Sequence, residues 1–171
     1  IMEKEIKEIT NDLKKKFKVE ISEFRDEISL LVSPEKIVEV CKSLKKDHGF
    51  EQLSSLTAVD YWPEIAPRFH VVYQMNSYSK KIRLELRVPL DGNNPSVDSV
   101  ESVYPNANWF EREIWDMLGV TIDGHSDPRR ILMPHDWEGH PLRKDYPLGY
   151  EEVQFTFNHE EIQKRKPNPK D

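Results

Sequence analysis

Three of the six histidines, His125, His135 and His140, fall in a stretch that also holds the carboxylates Asp127, Asp136, Glu138 and Asp145. Imidazoles and carboxylates are zinc ligands. His135, Asp136 and His140, with His125 as a fourth, therefore form a candidate metal site, and a stand-alone metal-dependent hydrolase is one reading of the chain. The spacing is not that of His-Glu-x-x-His, and Pro134 and Pro141 disfavour a regular helix there. Arg129, Arg130, Arg143 and Lys144 sit among the same residues. The competing expectation is a charge-balanced loop whose arginines pair with carboxylates and carbonyls, locally or on another chain.

Paired carboxylates could instead do acid–base work, Asp136 with Glu138 or Glu111 with Glu113. Residues two apart on a helix do not face each other, so Glu111 and Glu113 are not expected to share a proton. No Gly-rich phosphate loop, nucleophile elbow or dinucleotide fingerprint is present. Trp109, Trp115 and Trp137 flank the histidine stretch, and beside Arg129, Arg130 and Arg143 they match the composition of protein–protein hot spots. Aromatic and basic residues can also stack single-stranded RNA, but the balanced charge lacks the electropositive excess that phosphate contact needs. A protein interface is the better expectation.

Whole-chain properties narrow the classes further. The 31 acidic and 25 basic residues leave a net charge of −6, against a general binder of nucleic acid or anionic membrane. Cys41 is the single cysteine, too few for a disulfide, a Cys₄ zinc site or a cluster ligated by this chain alone. No apolar run approaches the roughly 20 residues of a membrane span. Glu3, Lys4 and Glu5 stand where a signal peptide would have its apolar core, so a cytosolic chain is expected.

The elements that must position these residues follow from periodicity. Met2, Ile6, Ile9, Leu13 and Phe17 recur at three and four, an amphipathic helix. Val19 and Ile21, then Ile28, Leu30 and Val32, alternate about Arg25-Asp26 as a hairpin. Ser33-Pro34 opens a second helix with a capping hydroxyl and a proline at its first position, Ile37, Val40, Cys41 and Leu44 form its buried stripe, and Gly49 ends it. Leu53–Val59 is a third strand. Phe69, Val71, Tyr73 and Met75, then Ile82, Leu84, Leu86 and Val88, alternate across a polar turn, with Arg83, Glu85 and Arg87 on the off-face. The expected fold class is α+β: a two-layer sandwich of α-β-β-α-β-β-β order with a mostly antiparallel sheet, followed by a helix and a long irregular docking segment.

Asp91–Pro95 reads as a hinge between the sheet and the residues after it. Asn108 with Glu111 resembles a capping box opening a helix whose apolar face is Phe110, Ile114 and Met117, closed by Gly119. The prolines and glycines from Thr121 to Gly149 leave no long regular element, and so long an irregular segment is usually functional. Val153, Phe155 and Phe157 alternate like a short strand, to be paired on this sheet or added to a partner's, and Asn158–Asp171 reads as a solvated end. The expected division is an α+β domain over 1–90, a helix and irregular docking segment over 91–150, and a tail over 151–171.

One run of residues resembles a known signature. Glu111-Arg112-Glu113-Ile114-Trp115-Asp116-Met117-Leu118, six residues, His125, three residues, then Arg129-Arg130-Ile131-Leu132 resembles the family of the complex I (NADH:quinone oxidoreductase) C subunit, including its relatives in membrane-bound nickel–iron hydrogenase-type complexes. Asp136-Trp137-Glu138-Gly139-His140-Pro141-Leu142-Arg143-Lys144-Asp145 resembles its continuation. The resemblance implies a structural subunit of the peripheral, cytoplasmic arm of an ion-translocating respiratory complex, reaching the membrane only through that complex. It implies no cofactor on this chain, iron–sulfur clusters on partner subunits, and two partners: a large subunit shaping the quinone or nickel–iron-type site, and a small iron–sulfur subunit. It carries no catalytic residue. Glu111, Arg112, Glu113, Asp116, His125, Arg129, Arg130, Trp137, His140, Arg143, Lys144 and Asp145 are expected to brace the segment and its docking face.

Overall fold

A computed structural model of the chain describes residues 2–25, 27–147 and 157–165. The strand expected at Val153–Phe157 lies, but for Phe157, outside the described residues. The elements run α1 (Met2–Phe17), β1 (Glu20–Phe24), β2 (Glu27–Leu31), a 3₁₀ turn (Pro34–Lys36), α2 (Ile37–Asp47), β3 (Gln52–Asp60), β4 (Phe69–Ser77), β5 (Ile82–Leu90), β6 (Ser96–Asp98), α3 (Ala107–Leu118), β7 (Thr121–Asp123) and α4 (His159–Arg165). The fold is mixed α+β. Its five-stranded sheet has the order β1-β2-β5-β4-β3, and only the β2–β5 pair is parallel.

Strand alternation sorts the residues as the sequence pattern expects. Phe69, Val71, Tyr73 and Met75 on β4 and Leu84, Leu86 and Val88 on β5 join Leu13, Val40, Cys41 and Leu44 of the helices in one core. Burial on that scale, about 1.5–3 kcal/mol for each large apolar side chain, is the main force holding the sheet to the helices. The opposite face is polar: Gln74 donates to Glu85 (2.6 Å), and Arg87 donates to Glu85 (2.5 Å) and to the Tyr61 hydroxyl (3.1 Å). Val97, Val100, Tyr104, Ala107, Ile114, Leu118 and Val120 belong to the same core as the sheet, so apolar residues on both sides of the Asp91 turn pack together.

Several local expectations change. Ser33 sits at the N-cap position with Pro34 next, but its hydroxyl makes no capping bond, and the first turn is 3₁₀ rather than α. The Lys36 N–H instead donates to the Ser33 carbonyl (3.0 Å). Ser33→Ala should therefore move the melting midpoint by less than about 2 °C, where losing a working cap would cost about 1 kcal/mol, or roughly 2–4 °C. A larger drop in a thermal scan would show that the cap forms.

The expected capping box does not form. Asn106 precedes the helix, and Asn108 lies inside it, donating from its side-chain amide to Glu101 Oε1 (3.1 Å) and Ser126 Oγ (3.2 Å). Glu111 points back instead to the preceding turn, where it accepts from the Val100 N–H (2.7 Å) and Ser99 Oγ (2.6 Å). Beyond α3 the chain adds β7, which pairs in parallel with β6, and both strands are too short for their periodicity to register. The tail, expected to be a solvated end, includes a short helix, α4. Glu160 and Glu161 stand in its first turn, where carboxylates suit the helix dipole.

Candidate docking site

The segment after β7 is held by charged groups aimed at backbone. Asp116 is fully buried on α3, and its Oδ2 accepts from three consecutive amides, Ile131 (3.0 Å), Leu132 (2.8 Å) and Met133 (2.9 Å). Its Oδ1 takes Arg130 (2.5 Å), whose other nitrogen donates to the Trp137 carbonyl (2.7 Å) and the Gly139 carbonyl (3.2 Å). Burial alone would raise the Asp116 carboxyl, but these amides and the guanidinium more than offset it and hold its pKa below the usual value. Arg112 donates to the carbonyls of Arg129 (2.9 Å) and Arg130 (3.0 Å). Arg143 donates to those of Leu118 (2.6 Å) and Gly119 (3.1 Å), so the open end of α3 is closed by a cation.

Gly119 makes the last contact possible. It ends α3 in the left-handed region (φ 68°), and a Cβ there would meet His140 and lie 2.7 Å from an Arg143 nitrogen. No other residue type fits without pushing that clasp away.

Two further residues, Asp60 and Arg68, lie outside the signature. Arg68 is 5% exposed and donates to both oxygens of Asp60 (2.9 Å each) and to both oxygens of Asp145 (2.7 and 3.0 Å). Asp60 also accepts from the amides of Trp62 (3.0 Å) and Lys144 (2.9 Å). Burial would raise the Asp60 carboxyl, yet Arg68 and these amides pull it down to about 2. The arrangement ties the ends of β3 and β4 to the far end of the irregular segment. A signal was present: Asp60 keeps the inward phase of Leu56 at the end of β3, with an arginine just before β4.

The histidines do not converge. His125 has a buried ring whose Nε2 donates to the Asn108 carbonyl (3.0 Å) and whose Nδ1 accepts from the Asp127 amide (2.9 Å). His140 places Nδ1 at 3.0 Å from the Asp116 carbonyl oxygen, beside Trp115. His135 lines a separate recess of about 380 Å³ with Trp115, Arg129, Arg130 and Met133. Among the described residues no three histidine, cysteine or acidic side chains could hold a metal ion, so the hydrolase reading loses its site. Glu111 is buried and Glu113 exposed, which also separates that carboxylate pair. Burial raises the Glu111 carboxyl, against the opposing pull of Ser99 and the Val100 amide.

The brace presents large apolar side chains outward among charged ones. Trp109 (60% exposed), Leu132 (60%), Leu142 (57%) and Trp137 (41%) face solvent, with Arg129, Glu113 and Lys144 exposed as well. Of the signature residues, Glu111, Arg112, Asp116, His125, Arg130, His140, Arg143 and Asp145 are engaged in bonds inside the chain.

A family described as the 30 Kd subunit of respiratory-chain NADH dehydrogenase matches residues 30–152. The chain belongs to this family. It is 49% identical over 152 residues to the NADH-quinone oxidoreductase C subunit of Roseiflexus sp. (strain RS-1), covering 88% of this chain and 87% of that one. The subunit of the same name in Geobacter sulfurreducens is 45% identical over 139 residues, covering 80% and 86%. Among solved structures, a trypsin-resistant fragment (1-134) of Nqo5 superposes with a TM-score of 0.64 at 25% identity, covering 72% of this chain and 98% of the fragment. A chain in the structure of a membrane-bound sulfane sulfur reductase, an archaeal respiratory membrane complex, has the same fold, with a TM-score of 0.71, 23% identity and 85% of each chain covered. The resemblance carried by the Glu111–Asp145 signature is thus confirmed at the level of the family. Among the described residues no helix is long and apolar enough to cross a membrane.

Proposed function

We propose that this chain is the C subunit of an NADH-quinone oxidoreductase-type respiratory complex, a non-catalytic scaffold in the peripheral arm on the cytoplasmic side of the membrane. It holds no cofactor of its own. Its partners are a large subunit that shapes the quinone or nickel–iron-type site and a small iron–sulfur subunit. One observation carries the reading: Asp116, Arg112, Arg130 and Arg143 are turned inward to brace an irregular segment, and Leu132, Trp137 and Leu142 are left on its outside beside the exposed charges Glu113, Arg129 and Lys144. An irregular backbone stiffened in this way presents large side chains at low entropic cost, as interface hot spots require.

The test is assembly. Leu132→Asp changes only an exposed side chain, so the isolated chain should melt within about 2 °C of the parent. Recovery of the chain in the purified membrane complex should nevertheless fall several-fold. Unchanged recovery, or stoichiometric iron or zinc on the isolated chain, would count against the scaffold reading.

A further inference from the structure

Asp-Gly steps occur at Asp91-Gly92 and at Asp123-Gly124. Glycine carries no Cβ to keep its amide nitrogen away from the carboxyl carbon of the aspartate before it, so such a step can close on itself. The fold treats the two differently. At Asp91-Gly92 the nitrogen is engaged: the Gly92 N–H donates to the Ile65 carbonyl (2.8 Å), and Asp91 Oδ1 accepts from the Asn93 N–H (2.7 Å). A Cβ on Gly92 would stand 2.9 Å from Arg68 Cβ, so that turn is also packed against a buried arginine.

Asp123-Gly124 leaves β7 with both residues exposed. Gly124 has a φ of 76°, and a Cβ built on it would meet nothing within 4 Å. Among the described residues nothing accepts from the Gly124 N–H. Two donors meanwhile face the groups that would react. The Ser96 hydroxyl donates to Asp123 Oδ2, on the carboxyl that must lose an oxygen. The Ser99 N–H donates to the Asp123 carbonyl (2.8 Å), which polarises the peptide unit shared with Gly124 and makes its N–H more acidic.

We propose that Asp123-Gly124 is a site of spontaneous isoaspartate formation, left open and assisted by Ser96, while the fold protects Asp91-Gly92. From the protonated carboxyl, the Gly124 nitrogen bonds to Asp123 Cγ, and its hydrogen leaves with the carboxyl hydroxyl as water. Water then opens the succinimide ring at the former main-chain carbonyl, so that the chain runs on through Cγ. Nothing is oxidised or reduced, and the mass returns to its starting value. The main chain gains one atom two residues before His125, whose ring is bonded to the Asn108 carbonyl and the Asp127 amide. The entry to the docking segment is displaced with it. This chemistry is independent of the scaffold reading above.

Ageing of the full-length chain at neutral pH tests it. Isoaspartate is counted by enzymatic methyl transfer to its free α-carboxyl, and located with endoproteinase Asp-N, which cuts before aspartate but not before isoaspartate. In the folded chain it is expected to accumulate severalfold faster at position 123 than at position 91. In denaturant the two positions should react at similar rates, because only the fold distinguishes them. Ser96→Ala, which removes only the hydroxyl, should slow position 123 severalfold and leave position 91 unchanged. The inference is overturned if the folded chain forms no isoaspartate at position 123, or forms it equally fast at position 91. A ratio that persists in denaturant, or a parental rate in Ser96→Ala, would overturn it as well.

Discussion

Asp116→Ala is expected to release the docking segment while leaving the sheet folded. One carboxylate serves three consecutive amides and Arg130, so its removal strands four donors at once. Breaking a buried charge pair in this way costs about 3–5 kcal/mol. The residues it holds, Ile131 and Leu132, are exposed and contribute nothing to the apolar core, so the cheapest response is local opening. Amide exchange should show it. Protection at Ile131–Met133 should fall roughly a hundredfold or more, with β5 amides such as Leu84 and Leu86 close to parental values. Asp116→Asn should rescue only part of this, because an amide that keeps its oxygen on the three N–H groups carries no charge and turns its own donors toward the Arg130 guanidinium. Equal loss of protection in β5 would show that the segment and the sheet unfold as one unit.

Arg68→Ala should act on the whole molecule. It leaves Asp60, 4% exposed, without its guanidinium at the end of β3, and it frees Asp145. A cost of about 3–5 kcal/mol corresponds to a melting midpoint lower by roughly 6–20 °C in a chain of this size. Arg68→Lys should recover little, since a single ammonium cannot meet two carboxylates bidentately. The same cluster sets an acid limit. The folded Asp60 carboxyl at about 2 lies below its ordinary 3.8, so the pair's contribution is fully present above pH 4. About 2 kcal/mol is then lost as pH falls from about 4 through 2. Asp116 and Asp145 are lowered too and add to the loss in the same direction. Acid titration of Arg68→Ala should lack much of this slope, and a parental slope would remove Asp60 from the account.

Periodic elements are legible in the sequence and charged ones are not. Ile9 and Leu13 on α1, or Val71, Tyr73 and Met75 on β4, announce themselves because side-chain direction repeats every 3.6 or 2 residues. Three-residue strands such as β6 and β7 offer too few repeats. Glu111 misleads because Asn108 three residues before it satisfies a capping pattern. The helix begins two residues earlier than that pattern requires, and the carboxylate is needed by the Val100 turn. The strand phase marks Asp60 as inward, but nothing local says that Arg68, eight residues on, will pair with it and with Asp145 as well. The signature includes Lys144 and Asp145 but is silent on Arg68 and Asp60, the partners that anchor them.

The parallel pairing of β6 with β7 and the Arg68–Asp145 clasp pin the irregular segment at both ends, with about twenty residues between Asp123 and Asp145. The entropy of closing that loop is therefore lost when the chain folds, before any partner arrives. Association then resembles rigid docking rather than coupled folding, so its heat-capacity change should reflect interface area alone. Its on-rate should carry no slow ordering phase. The same anchoring makes the segment a sensor of its own integrity: a chain whose clasp has opened must meet the closure entropy at the moment of binding, and it is disfavoured from assembly against intact copies.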